Sequence, residues 1–360
     1  MAVISQKPLI ICDLFGYPTM HYSTLLAPQT RPYRKFLSTA AFLTVFLLNQ
    51  WASPAFAEDS FSFLTLSDVP YTDEENVALT QTLVPAIQES KAPFVIHMGD
   101  LKNSKIPCSE ELLTRRRNQI FSLHLGRVFY TPGDNDWTDC DRKQISVRFS
   151  ELNRLDLLRR LFYNEPHLLP NSWAYERQAL YPENMRWKYE SVVFATVHLV
   201  STNNGRREIL LDDIDLALTR VDARDRANII WLEHAFMTAR KTNASAIVIA
   251  TQADVTNFKY TGKCTFTRRR QCDAFASFKT RLKELASAYK KPVLLMHGDT
   301  NPYCLDREFG GRVAPNLWRF NSTGDYSFVD AVKVDVNPDS PDEPFTFISL
   351  VEKRTPAGNC

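Results

Sequence analysis

The sequence predicts an α/β fold, and three observations carry that expectation. Short β-rich apolar runs alternate with segments of helical spacing along most of the chain. The 360 residues are 44% hydrophobic and 23% charged, enough to bury one large core or two ordinary ones and far from a disordered composition. Several of the apolar runs end in an acidic or amide loop, as strands do where an α/β sheet gathers its ligands.

The first 57 residues read as a leader. Arg31, Arg34 and Lys35 precede the apolar run 36–48, and Ala55-Phe56-Ala57 comes just before Glu58-Asp59. That layout is a secretory signal peptide over 34–57 with cleavage after Ala57; the thirty residues before Arg31 read as an upstream start or an unusually long leader. The apolar run is too short to span a bilayer comfortably, so no stable membrane anchor is expected after cleavage. The mature chain, 58–360, is expected to be one domain, exported to the periplasm or beyond the cell. The leader holds Lys7, Arg31, Arg34, Lys35 and Asp13, which leaves 39 basic residues against 40 acidic in the remainder. No overall bias toward polyanions survives, and no nucleic-acid partner is indicated.

Strands are expected over 61–66, 94–98, 127–131, 192–200, 246–250, 293–296, 326–336 and 345–351, and helices over 73–90, 109–125, 142–162, 222–241 and 274–289. The last two strands have no helix between them, and the Pro- and Asp-rich stretch 337–344 suits a hairpin connection. Residues 166–187, rich in Pro, Asn and Trp, read as a long irregular excursion. Trp173 and Trp187 within it are expected to pack rather than to bind.

Cys12 lies in the leader and the rest of the chain keeps an even set: Cys108, Cys140, Cys264, Cys272, Cys304 and Cys360. Spacing favours a Cys264–Cys272 bond. Cys108 and Cys140 each follow a strand-end loop and would pair if those ends approach; Cys304 and Cys360 stay unassigned. No pair has zinc-ribbon spacing, so an oxidising compartment accounts for the count better than a structural metal.

Five loops carry the candidate chemistry: Ser67-Asp68-Val69-Pro70, Gly99-Asp100-Leu101-Lys102, Gly133-Asp134-Asn135-Asp136, Thr251-Gln252-Ala253-Asp254 and Gly298-Asp299-Thr300-Asn301. Their order and spacing resemble the calcineurin-like metallophosphoesterases, whose blocks are Asp-x-His, Gly-Asp, Gly-Asn-His-Asp/Glu, a lone His after a strand, and Gly-His-x-His. The Pro132-Gly133 turn and the Trp231-Leu232-Glu233 helix start are further points of likeness, and the resemblance runs from about Phe61 to Val351. It implies a four-layer αββα sandwich, two mixed β-sheets face to face with helices outside, and a pocket along the strand ends.

Residue by residue, the resemblance keeps Asp68 for a first metal, Asp100 as the bridging carboxylate and Asp136 as the acid of the third block. Pro70 stands for a ligand His, Asp134 for the ligand Asn, and Asn135 for the His that protonates the leaving group. Gln252 replaces the lone His, and Asp299 and Asn301 replace the last two. Every imidazole is lost, so a zinc or iron pair is not expected. Carboxylates about 4 to 6 Å apart would each repel by about 3 to 4 kcal/mol at an effective dielectric near 20, which calls for a positive charge among them. Asp100, Asp134, Gln252 and Asp299 make an all-oxygen set suited to one hard divalent cation, Mg²⁺, Mn²⁺ or Ca²⁺; a site holding no metal is the alternative. The first position keeps Asp68, Asp100 and Asn301, with the Lys102 ammonium as a substitute for the lost ion.

His97 and His198 lie within strands and read as core residues, whereas His297, two residues before Asp299, is placed to act as a proton donor. Arg268-Arg269-Arg270, between Cys264 and Cys272, could face a phosphate or remain solvated. The function the resemblance implies is metal-dependent hydrolysis of a phosphoester or another anionic small molecule. The alternative is a catalytically inactive protein of the same fold that binds a cation or an envelope partner.

Overall fold

Strand polarity sorts the described residues into two mixed sheets. The computed structural model describes residues 60–360 except 165, 166, 168, 327 and 341, so the leader, its signal peptide and the cleavage point after Ala57 lie outside the described residues. In chain order the strands are β1 (Phe61–Leu66), β2 (Val95–His97), β3 (Val128–Tyr130), β4 (Glu176–Gln178), β5 (Tyr181–Tyr189), β6 (Val192–Thr196) and β7 (Ala246–Ala250). There follow β8 (Val293–His297), β9 (Cys304–Asp306), β10 (Leu317–Asn321), β11 (Val332–Val336), β12 (Phe345–Ser349) and β13 (Ala357–Gly358). One sheet has the order β12-β11-β1-β2-β3 and the other β13-β9-β10-β8-β7-β6-β5-β4. Parallel pairs occupy the middle of the larger sheet, antiparallel pairs flank them on both sides, and the terminal pair β13–β9 is again parallel.

The period of two along each strand explains the layering. In β7, Ala246, Val248 and Ala250 join the core between the sheets, while Ile247 and Ile249 face helices Ile214–Lys241 and Ala276–Tyr289. The same split runs through Phe194 and Ala195 in β6 and Leu294 and Leu295 in β8. Between the sheets the core is aromatic: Phe129 stacks on Trp187 at 3.6 Å, and Phe63 meets Phe194 edge-on at 5.2 Å. Leu79, Leu83 and Ile87, and then Leu113 and Ile120 of helix Glu110–Ser122, are buried in the same core from the helical side. The architecture is the expected α/β arrangement of two mixed sheets flanked by helices.

Several expectations change. The helix expected from 222 begins at Ile214, with the Asp213 side chain capping the Leu216 N–H, and β9, β10 and β13 were not expected. The excursion 166–187 contains β4 and most of β5, which pair as the edge of the larger sheet. Its signal was hidden because β5 buries Glu183 and Asn184, where an apolar alternation would be sought. The strand expected to reach residue 200 stops at Thr196, since the His198 N–H is taken by Asn184 Oδ1 at 2.7 Å. The strand expected from 326 begins at Val332, because Asp330 accepts the N–H groups of Ala331, Val351 and Glu352 and bends the chain. The helix expected from 142 begins after Ser150, whose side chain caps Asn153 N–H; residues 142–149 form turns. Trp173 and Trp187 are buried packing residues, as expected.

All three disulfides form: Cys108–Cys140, Cys264–Cys272 and Cys304–Cys360, with Cα separations of 5.6, 4.9 and 5.3 Å. Among the described residues no helix is long and apolar enough to cross a membrane.

Candidate functional site

Three of the five acidic loops leave their strands through a sharp turn. Asp68, Asp100 and Asp299 all have left-handed backbone, with φ of 56°, 60° and 74°, a conformation that non-glycine residues hold only where the surroundings impose it. The preceding glycines make room. A Cβ on Gly133 would collide with the Asp100 carboxylate, and one on Gly298 with the carboxylate of Asp68. The Gly-Asp pairs are therefore a packing requirement of loops that touch one another.

The result is a cleft of about 280 Å³ at the strand ends. Asp100, Asp134 and Asp299 each turn one carboxylate oxygen inward, and these atoms lie within 4.8 Å of one another. Gln252 is at their centre but presents its nitrogen: Nε2 is 3.1 Å from Asp134 Oδ1 and 3.3 Å from both Asp100 Oδ2 and Asp299 Oδ1. Its Oε1 accepts the Ser201 N–H at 3.0 Å, and a backbone N–H can only donate, so this orientation follows from the bonding. The expectation that Gln252 offers an oxygen to a cation is corrected on that ground.

Beside this trio, the Tyr71 hydroxyl bridges Asp68 Oδ1 and Asp100 Oδ2, each at 3.0 Å. One phenolic hydrogen cannot serve both carboxylates, so the bridge favours a proton held by the pair. Asn135 completes the group, donating Nδ2–H to Asp100 Oδ2 at 3.0 Å and to Tyr71 Oη at 3.2 Å. Its amide is spent inward. Burial is the first cause that raises the carboxyls of Asp68, to about 7, and of Asp100, Asp134 and Asp299. Mutual repulsion follows as the next cause for Asp100 and Asp299.

The remaining candidates lie elsewhere. Asp136 is fully buried and accepts from Leu101 N at 2.7 Å, Gly133 N at 2.8 Å, Asp100 N at 3.0 Å and the Tyr130 hydroxyl at 2.8 Å. It fixes the second loop against the third and does not face the cleft. His297 is fully buried, with Nδ1 on the Gly298 carbonyl at 2.8 Å, and its charged neighbours are Asp254 and Arg319. It does not line the cleft, because strand alternation that faces Asp299 inward is broken by the turn at Gly298. Asn301 is exposed, and its Nδ2 donates to the Asp325 carbonyl at 2.8 Å rather than to Asp68. Lys102 is buried with Asp136 and Asp139 as its foremost charged neighbours, which corrects the expectation that it stands beside Asp68. Burial lowers its ammonium against those charges. His97 and His198 are core residues, and His198 Nδ1 donates to Glu183 at 2.9 Å.

Several cleft residues were not foreseen. Thr202 Oγ1 reaches Asp134 Oδ2 at 2.9 Å and Asp139 Oδ1 at 3.1 Å, and Arg142 pairs with Asp139 at 2.6 Å and Glu208 at 2.8 Å. Ser201 Oγ donates to Asp299 Oδ2. Asp325 is half-buried at the rim, its carboxyl pushed up to about 6 by burial and then by the charges of Asp134 and Glu75. Tyr71 and Asp139 could have been found, since each adjoins a recognised acidic loop; nothing in the sequence marks Asp325.

The two expected metal positions differ. Three carboxylate oxygens within 4.8 Å suit a hard cation with oxygen ligands, so the Asp100, Asp134 and Asp299 position fits one. The Asp68 position does not, because Asn301, its further expected ligand, is turned to the Asp325 carbonyl and leaves only the two carboxylates that Tyr71 bridges.

No family model matches the sequence, and no curated protein matches it. Solved structures similar to this one include PhoD, at 12% identity and a TM-score of 0.46, over 78% of this chain and 64% of that chain. Another is GAP50, the anchor in the inner membrane complex of Plasmodium, at 10% identity and a TM-score of 0.42, over 82% of this chain and 86% of that one. This chain thus spans under two thirds of the PhoD chain.

Proposed function

We propose that the protein is an exported hydrolase of phosphoesters that works with one hard divalent cation, Mg²⁺, Mn²⁺ or Ca²⁺, held by Asp100, Asp134 and Asp299. The observation that carries this reading is the convergence of three carboxylates from separate strand ends on one point. When bound, such a cation supplies charge neutralisation and Lewis acidity toward a phosphoryl oxygen. Arg142 and Arg207 line the same cleft and would orient the anionic substrate. Thr202 and Ser201 hold Asp134 and Asp299 in place. Asp325 is the group we assign to protonating the leaving oxygen, the role the resemblance gave to Asn135. Export is supported by the leader pattern together with three disulfides.

A second reading, a catalytically inactive protein of this fold, is favoured by one feature: Gln252 beside Asp134 and Tyr71 beside Asp100 already give hydrogens to carboxylates that a cation would neutralise. A melting series separates the two. If the hydrolase reading is right, Mn²⁺ near 100 times its dissociation constant raises the melting temperature of wild type by about 5 °C or more, and Asp100→Asn abolishes the response. Aryl and alkyl phosphates should then both be hydrolysed, with Asp325→Asn slowing the alkyl ester more. An absent Mn²⁺ response, with Asp100→Asn more stable than wild type, establishes the second reading instead.

A further inference from the structure

Adjoining the acidic cleft is a second groove of about 820 Å³, and the two share Arg142, Arg207 and Glu208. Lys143, Tyr260 and Arg270 are among the residues that line the rest of its wall. Different parts of the chain deliver these cations. Lys143 follows the third acidic loop, and Arg207 follows a run of left-handed residues, Thr202, Asn203 and Asn204. Arg270 belongs to the loop closed by Cys264–Cys272. Its Nε donates to the Arg206 carbonyl at 3.3 Å, which seats the guanidinium beside Arg207.

Their charges are unequally committed. Arg142 is paired with Asp139 and Glu208, so the groove's one carboxylate among these residues is already matched. Among the described residues, the side chains of Lys143 and Arg207 form no ion pair or hydrogen bond, and Arg270 forms only its bond to a carbonyl. Arg269 is different, since it is held by Asp222 at 2.8 Å, and Arg268 is turned to the carbonyls of Thr261 and Gly262. Of the three adjacent arginines, the stapled loop presents Arg270 to the groove. Three uncommitted cations beside a carboxylate-lined cleft give a sharp change of sign along one continuous surface, although the chain as a whole is close to neutral.

We propose that this groove binds a second anionic group of the substrate. The substrates are then small phosphoesters or phosphoanhydrides that carry at least one further phosphate or carboxylate. The reacting phosphoryl group lies in the acidic cleft, and the other anion meets Arg207, Lys143 and Arg270, where guanidinium groups suit it better than a lone ammonium would. The substrate class rests on the hydrolase reading above, but the anion site does not.

The test is therefore made without any cation. Titration calorimetry of full-length mature protein in EDTA, with inorganic tripolyphosphate as the probe, should show binding that weakens as KCl is added. Lys143→Gln/Arg270→Gln should bind about tenfold more weakly, the loss of two charge-assisted contacts on exposed side chains. Asp299→Asn should bind at least as well as wild type, since it removes a neighbouring negative charge. No binding by wild type, an unchanged dissociation constant in the double variant, or loss of binding in Asp299→Asn would each overturn the proposal. None of these readouts depends on Mn²⁺ or turnover, so failure of the hydrolase reading stays distinguishable.

Discussion

Nε2 of Gln252 lies 3.1 Å from Oδ1 of Asp134, and that single contact sets the electrostatic character of the cleft. The amide brings hydrogens to a point where three carboxylates meet, yet it has two hydrogens for three oxygens and no net charge. It therefore relieves the repulsion only in part. Burial and then the neighbouring charges accordingly raise the carboxyls of Asp100 and Asp299 above the usual carboxylate range.

Gln252→Glu follows from this contact. The new carboxylate still accepts the Ser201 N–H, but it puts a fourth acid where an amide donor had been. Without cation the variant should melt several degrees below wild type. With Mn²⁺ or Ca²⁺ it should gain more than wild type does, because a further oxygen ligand strengthens a hard-cation site. Paired melting curves with and without metal check both signs.

Asp136→Ala should behave as a structural lesion. The carboxylate takes three backbone N–H groups and the Tyr130 hydroxyl, and alanine leaves these buried donors unpaired. A loss of about 3 kcal/mol or more is expected in urea unfolding. Asp136→Asn, which keeps an acceptor oxygen, should lose less.

Glu151→Gln provides a pH test remote from the proposed cation ligands. Burial, then the charges of Asp141, Asp212 and Asp139, raises the Glu151 carboxyl from 4.5 to about 10. The native state thus holds a proton that the unfolded state releases above 4.5, so this stabilising contribution is complete below that pH and is lost as pH rises toward 10. Glutamine cannot ionise. The variant should match wild type near pH 5 and melt roughly 3 °C or more higher at pH 8. Equal melting temperatures at pH 8 would show that Glu151 is ionised in the fold.

Much of the fold was legible because it is written locally. The alternation of β7 and the helical spacing of residues 276–289 each decide which side chains can share a face, and neither depends on distant residues. Likewise the short Cys264–Cys272 spacing anticipated its bond. β5 was not legible: Glu183 and Asn184 are buried only because Arg159, His198 and Asn228 arrive to satisfy them.

The site divides in the same way. The sequence by itself determined that Asp68, Asp100, Asp134, Gln252 and Asp299 each follow the end of a strand and so gather at one edge of the sheets. Which atom of Gln252 faces the carboxylates was decided by the Ser201 N–H, 51 residues away along the chain. Tertiary structure also decided that Tyr71 lies between Asp68 and Asp100 and that His297 is sealed beside Asp254 and Arg319. A strand's periodicity specifies the direction of its own side chains. Hydrogen-bond polarity and burial at a point where several loops meet depend on partners that only the assembled fold supplies.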